Sequence, residues 1–567
     1  MRIVVTGIGS ITAVALDASV DCLRHEQTGL RRGHTLAGTT YSLPLGVVPQ
    51  SNEQLAAALG VHDRLLPRNA LLGMWAAREA LASAKIPMTD YPHIAFFNGT
   101  TVGGMDLTEQ CYAAWLQGQS REEAAQHEAH ASTEDISRYF GGLGEAVTIS
   151  TACSSALNAL ISGANRLRAG QCEYALVGGT EALTRFHLEG FRSLHIVDEA
   201  LCRPFSADRA GLNLGEGAAY LMLETEQHAL SRGATILAYL AGYANACDAY
   251  HQTASSPEGE GAYRAMMQAL TMASITPSKI DYINAHGTAT PNNDASEMAA
   301  FQRVFGENVP HYSSTKAYTG HTTSASGAIE AVFSVQCLRQ GFVPASLGCE
   351  HTDEGVPLPV QHTVELPLHY VLSNAFGFGG NCSTVIFSSL PTELPALHPS
   401  DTVRTTTVQV DDMSEAKQYI NPMQLRRLTP TLALSLASAL KALRQENIAE
   451  PDAILCATRN GSIMQSRQLL DALIANEELS PTRFMQSTHN TMAAMVAQQT
   501  KAHGYNCTYS CGTDSERQTI REAQLLVGTG VVYNALVVCF DEADEVWQQF
   551  FETPLPSFHK AYIIKPL

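Results

Sequence analysis

Apolar positions along the first 390 residues follow two alternating rhythms. Short β-branched runs, "RIVVTGIG" (2–9), "HIAFFNGT" (93–100), "AVTIST" (146–151) and "EYALVGG" (173–179), read as buried strands. Between them, "RNALLGMWAAREALASAK" (68–85) and "SSALNALISGANRLRAG" (154–170) carry apolar residues three and four apart and read as helices. The rhythm resumes in "DYINAHG" (281–287), "VLSNAFGF" (371–378) and "STVIFSS" (383–389). Strands interleaved with helices predict an α/β architecture of parallel sheet layers covered by helices. The pattern then breaks at "LPTELPALHPSDTVRTTT", where Pro391, Pro395 and Pro399 interrupt any apolar period. The chain therefore divides into 1–235, 236–390, a linker at 391–407, and 408–567.

The last part repeats the first. Helix "TPTLALSLASALKALRQ" and strand "DAILCATRNGS" parallel the helix at 68–85 and the strand at 93–100. At an offset of 360 positions Gly144, Thr148, Ser150, Gly170, Ala175, Leu176 and Val177 meet Gly504, Thr508, Ser510, Gly530, Ala535, Leu536 and Val537 without a gap. Residues 408–567 thus read as a truncated second copy of the N-terminal part, against the alternative of two unrelated α/β pieces.

Composition narrows the class. The 567 residues are 45% apolar and 16% charged, with a net charge of −19, which argues against a nucleic-acid partner. No apolar run approaches a membrane span, and "MRIVVTGIGSITAV" reads as a first strand rather than a leader peptide. Thirteen cysteines without zinc-type spacing point to a reducing cytoplasm and no structural metal. Cys507 and Cys511 form a CxxxC that reads as strand and turn.

Four stretches carry candidate chemistry. In "TACSS", Cys153 sits where strand gives way to helix. A helix N-terminus there would lower the thiol pKa and favour a nucleophile, although a lone thiol reads equally as a buried structural residue. "NAHGTATPNND" places His286 after a strand, followed by Thr288 and Thr290. "SSTKAYTGHTTSASGAIEA" gathers Lys316, His321 and Glu330 among small residues. "SNAFGFGGNCS" surrounds Phe376 and Phe378 with glycines, as a tight turn or a mobile gate.

Taken in order with "RPFSADRAGLNLGEGAA", these motifs resemble the elongating β-ketoacyl-acyl-carrier-protein synthases of the thiolase-fold superfamily over nearly all of residues 1–390. The resemblance implies a thiolase-like fold of two related α/β halves, here with a third α/β domain. It implies a decarboxylative Claisen condensation of malonyl-carrier protein with an acyl chain on Cys153. His286 and His321 would bind the malonyl thioester carbonyl, Lys316 would support them, and Glu330 would be the buried acid beside them. Thr288, Thr290 and Phe376 would meet the phosphopantetheine arm and substrate, and Phe378 would be the gate. No cofactor or metal is implied; the partner is acyl carrier protein. Departures from the family pattern are the run "TTSAS" after His321, Ala317–Tyr318 after the lysine, and Asn381–Cys382 after "FGFGG". They bear on the acyl pocket and not on the reacting groups.

In the repeat, Thr513 replaces the cysteine and no partners of His286, Lys316 or His321 follow, so this copy is expected to be inactive. It resembles chain-length factors that accompany ketosynthases in polyketide, aryl-polyene or flexirubin-like pathways. Family dimers pair the strand before the nucleophile, so Val147–Thr151 would pair with Cys507–Cys511, in an intramolecular pseudo-dimer or between copies. Alternatives are a housekeeping fatty-acid elongation synthase and a non-condensing acyl-binding scaffold. Arg64 and Arg68 in "HDRLLPRNA" are the candidate carrier-docking cations. The polar insert at 108–135 is expected either to cap the pocket or to lie on the surface.

Overall fold

The computed structural model describes residues 1–62, 64–119, 122–400, 402–549 and 557–567. Among these, fifteen strands hydrogen-bond into one sheet. Its outer edges are His311–Ser313 and Val403–Val408. No helix among the described residues is long and apolar enough to cross a membrane.

The order of strands makes the internal repeat visible. Ile94–Gly99 lies between Ala146–Ile149 and Tyr174–Glu181, parallel to both. Gly217–Thr225 and then Ile3–Thr12 continue antiparallel. In the last part Ala453–Ala457 lies between Tyr505–Tyr509 and Ala535–Asp541, again parallel to both. Phe558–Pro566 and Val403–Val408 continue antiparallel. The parallel strands of both units are buried on both faces, the environment that parallel sheets impose.

The two units meet edge to edge. Ile149 pairs antiparallel with Tyr509, the Ser150 N–H donates to the Thr508 carbonyl at 2.9 Å, and the Ser510 N–H donates to the Thr148 carbonyl at 3.0 Å. These bonds interchange under the 360-residue offset, so a pseudo-twofold axis passes between Ile149 and Tyr509. An edge that would otherwise present unpaired backbone groups is closed by the chain's own repeat. One apolar core runs across the seam, with Val147, Ile149 and Leu160 packed in the same cluster as Cys507, Tyr509 and Leu526.

The predicted linker needs correction. Residues 403–407 belong to Val403–Val408, the counterpart of the first strand of the chain, because pairing with Phe558–Pro566 satisfies their backbone groups. The remainder is laid against the protein. Leu394 exchanges backbone hydrogen bonds with Met1, and Leu397 N–H donates to the Arg168 carbonyl at 3.0 Å.

Beneath the seam, Arg166 donates to Glu522 in an ion pair with both side chains almost fully buried. Breaking such a pair strands a charge, whereas replacing both partners by apolar groups is tolerated. Glu522→Leu should therefore lower unfolding stability by about 3 kcal/mol in denaturant titration, and Arg166→Met with Glu522→Leu should recover most of the loss.

Candidate functional site

The strand Ala146–Ile149 enters a short 3-10 turn, Ala152–Ser154, before the helix Ser155–Arg168, all of whose residues are buried. Ala152 adopts φ +52°, a left-handed conformation unusual for alanine, which swings the Cys153 side chain out of the strand line. Ser155 fastens the bend: its hydroxyl accepts from Thr151 N–H at 2.9 Å and donates to the Ala152 carbonyl at 2.6 Å. The repeat keeps the bend, with Gly512 at φ +57° and Ser515 bonded to Cys511 N–H and Gly512 carbonyl, both at 2.8 Å. Thr513 stands where the thiol would be.

Cys153, His286 and His321 come together. His321 Nε2 lies 3.1 Å from Cys153 Sγ, and its Nδ1 is 2.9 Å from the Ser326 hydroxyl. The two imidazoles sit edge to face with centroids 5.4 Å apart, and Phe376 flanks His286. Lys316 Nζ donates to Glu330 Oε1 and to the His286 carbonyl, both at 2.5 Å, and lies 3.4 Å from His286 Nδ1. An ammonium beside Nδ1 favours the tautomer whose proton is on Nε2. Glu297 accepts from the N–H groups of His286 and Gly287 at 2.8 Å, and Asp294 accepts from Thr288 N–H at 3.0 Å; these two carboxylates shape the loop. Thr288 and Thr290 bond to each other through their hydroxyls at 2.9 Å.

Burial governs the protonation states. It pushes His286 and His321 well below the ordinary histidine value, with the Lys316 charge adding to the effect, so both rings are neutral near pH 7. Glu330 is raised to about 7 by burial, with Lys316 opposing the shift. The expectation of a lowered Cys153 pKa is overturned: burial pushes the thiol up to about 12, against the pull of Lys316 and of the Phe378 and Cys153 N–H groups. The helix N-terminus is present, but desolvation of the thiolate outweighs it. The Cys153, His286 and His321 ligand atoms lie within 4.8 Å of one another, a spacing a metal ion would accept; the Lys316 ammonium against His286 opposes a cation there.

Two cavities meet at Cys153. The outer one is lined by His286, Thr288, Thr290 and Phe376 and reaches the exposed Pro291 and Asn292. The inner one is lined from across the seam by Phe484, His489 and Asn490. Phe378 borders both. It stacks on Phe191, which packs against Phe484 of the repeat, and its carbonyl accepts from Asn490 Nδ2 at 2.8 Å. Gly377 is required beside it, because a Cβ there would sit 2.9 Å from the Thr151 carbonyl.

The insert at 108–135 is a cap, as far as its described residues go. His127, Glu128 and Ala129 line the inner cavity, Tyr112 and Trp115 pack on Trp547, and Glu128 pairs with Arg459. The paired docking cations are corrected. Arg68 binds both oxygens of Glu216 and also the Gln50 and Val48 carbonyls, so it is a buried tie and not a surface charge. Arg64 pairs with Asp135 and keeps a side chain 36% exposed. Asn490, His489, Phe484 and His127 were not legible as site residues, because only the seam brings them to the thiol; the offset that maps Asn490 onto His130 carries no chemical cue.

A thiol near pKa 12 should show iodoacetamide alkylation of Cys153 rising about tenfold per pH unit from pH 7 to 10 without a plateau; a plateau below pH 8 would reveal a stabilised thiolate. Asn490→Asp keeps the size but removes the donor to the Phe378 carbonyl. It should slow acylation of Cys153 by about tenfold, with a melting temperature close to wild type, in rapid-quench assays.

The N-terminal domain description of β-ketoacyl synthase matches residues 2–229, its C-terminal domain matches 237–350, and a second N-terminal-domain description matches 401–566. The 3-oxoacyl-[acyl-carrier-protein] synthase 2 of Staphylococcus aureus (strain MRSA252) is 31% identical over 406 residues, 68% of this chain and 98% of the relative. The solved ishigamide ketosynthase/chain length factor is 30% identical, with TM-score 0.63 over 69% of this chain and 99% of that one. The PfaC keto synthase–chain length factor spans 100% of this chain and 78% of its own, with TM-score 0.80 and 16% identity, a likeness of fold. With a thiol, two neutral imidazoles and a lysine–glutamate pair at one bend, the chain belongs to the β-ketoacyl synthase family and is a condensing acyltransferase of thiolase fold.

Proposed function

We propose that residues 1–390 elongate a carrier-bound acyl chain by two carbons in a specialised polyketide or aryl-polyene type of pathway. Residues from about 402 onward form an inactive, chain-length-factor-like wall in an intramolecular pseudo-dimer. The observation that carries this reading is the inner cavity, which starts at Cys153 and is walled beyond the seam by the repeat. The likeness to the ishigamide ketosynthase/chain length factor supports it. A housekeeping elongation role is the second reading, favoured by the likeness to the staphylococcal synthase.

The chemistry follows from the geometry. Cys153 attacks the acyl thioester with the His321 Nε2–H 3.1 Å from its sulfur; the bond from the acyl carbon to the carrier sulfur breaks, and the Cys153 proton leaves with that sulfur as the carrier's thiol. A malonyl thioester then occupies the outer cavity, with its arm along Thr288 and Thr290. Loss of carbon dioxide leaves an enolate whose oxygen accepts from the Nε2–H groups of His286 and His321. Neutral donors fixed by Lys316 and Ser326 stabilise that charge where it develops. The enolate carbon bonds to the acyl carbonyl on Cys153, whose oxyanion lies at the N–H groups of Cys153 and Phe378. Collapse breaks the carbon–sulfur bond, yields a β-ketoacyl thioester and expels Cys153 as a thiolate, which takes a proton from water to restore the thiol. The scheme uses no cofactor; both substrates arrive on the phosphopantetheine of an acyl carrier protein.

Labelled malonyl-carrier protein tests the assignment. Wild type should release carbon dioxide and form a product two carbons longer. Cys153→Ala should abolish elongation, and His286→Ala or His321→Ala should slow decarboxylation by about a thousandfold. Decarboxylation unchanged in both histidine variants would overturn the assignment.

A further inference from the structure

A pocket for a saturated chain should be apolar to its end, and the inner cavity is not. Part of its lining is apolar, with Val102, Met105, Phe191 and Phe484. The same lining holds His127 from the insert and Asn460 and His489 from the repeat.

Each of these three is fixed by one end and leaves another end unused. His127 Nδ1 meets the Thr108 hydroxyl at 3.0 Å and its ring packs on Trp547. His489 Nδ1 meets the Ser150 hydroxyl at 2.9 Å. Neither Nε2 has a hydrogen-bond partner among the described residues. Burial lowers the two rings to about 3 and about 4, so both are neutral and present a hydrogen-bonding nitrogen without a charge. Asn460 is held through its backbone N–H by Asp541 at 2.8 Å, is 7% exposed, and has a buried side-chain oxygen with no partner.

A methylene chain pushed among these groups would exclude water from them and return no hydrogen bond, which weakens binding for each group left unpaired. A chain bearing oxygen beside them would pair them. The geometry points to a specificity subsite, formed by His127, Asn460 and His489, for acyl chains that carry keto, hydroxyl or phenol oxygens. The inference rests on the cavity being the acyl pocket. Two of its three residues belong to the repeat, which gives the inactive copy a direct part in substrate choice. The shared chemistry is a hydrogen-bonding oxygen, supplied by oxygens along a poly-β-ketone or by a phenol at the starter end.

Binding without turnover tests it. Cys153→Ala protein is titrated calorimetrically with length-matched acyl-pantetheine amides. The acyl groups are saturated alkyl, a chain with oxygens on alternate carbons, a phenyl-ended chain and a hydroxyphenyl-ended chain. At least one oxygen-bearing probe should bind tenfold or more tightly than its oxygen-free match, and the arm that wins identifies the source. Asn460→Leu or His489→Phe, each made in the Cys153→Ala background, should shrink that advantage to about threefold or less; either substitution suffices if the other fails to fold. Equal affinities, or an advantage that survives the substitutions, would overturn the subsite. Carbon dioxide release by wild type from malonyl- and acetyl-carrier protein is measured in parallel. Its presence with equal affinities sinks the subsite alone, and its absence sinks the condensation reading alone.

Discussion

The Ser150 to Thr508 and Ser510 to Thr148 hydrogen bonds zip two edge strands together inside one chain. A strand edge demands a partner, and here the partner is the protein's own repeat. Because Ala146–Ile149 runs straight into the bend that carries Cys153, whatever pairs with that strand is also held close to the thiol. The same pairing aligns the cap residues with Arg459 and Trp547 and places Asn490 on the Phe378 carbonyl. Most features that distinguish the inner cavity descend from this one contact.

The catalytic cluster solves a problem of desolvation. A thiol buried deeply enough to exclude water from a carbanion is too costly to ionise on its own. The site therefore holds Cys153 as a thiol, with the neutral His321 imidazole 3.1 Å from its sulfur. The same burial keeps both histidines neutral and able to donate. Lys316 and Glu330 offset each other's charge and brace the backbone of His286. One environment thus sets the states of the nucleophile and of both donors.

The repeat keeps the bend without the thiol. Its bend, its serine brace and its parallel strands persist because they hold the sheet together. Thr513 can replace the thiol without disturbing any of them. The repeat's contribution lies instead in residues that face across the seam.

Periodicity in the sequence was enough to reveal the α/β alternation, the truncated second copy and the bend at Cys153, since strand and helix periods and turn chemistry are local properties. Five ordered motifs likewise marked Cys153, His286, Lys316, His321 and Glu330, through their resemblance to the β-ketoacyl synthases. Tertiary structure decided the rest. Val403–Val408 reads as linker until Phe558–Pro566 supplies its hydrogen bonds, and Arg68 reads as a surface cation until Glu216 is found against it. The direction of the Cys153 shift depends on how much water the fold removes, which no local pattern records. His127, Asn460, His489 and Asn490 became site residues only by meeting across a seam, from positions more than 330 apart in the chain. Local sequence sets the conformation of each segment, but contact between distant segments is a property of the whole packed sheet.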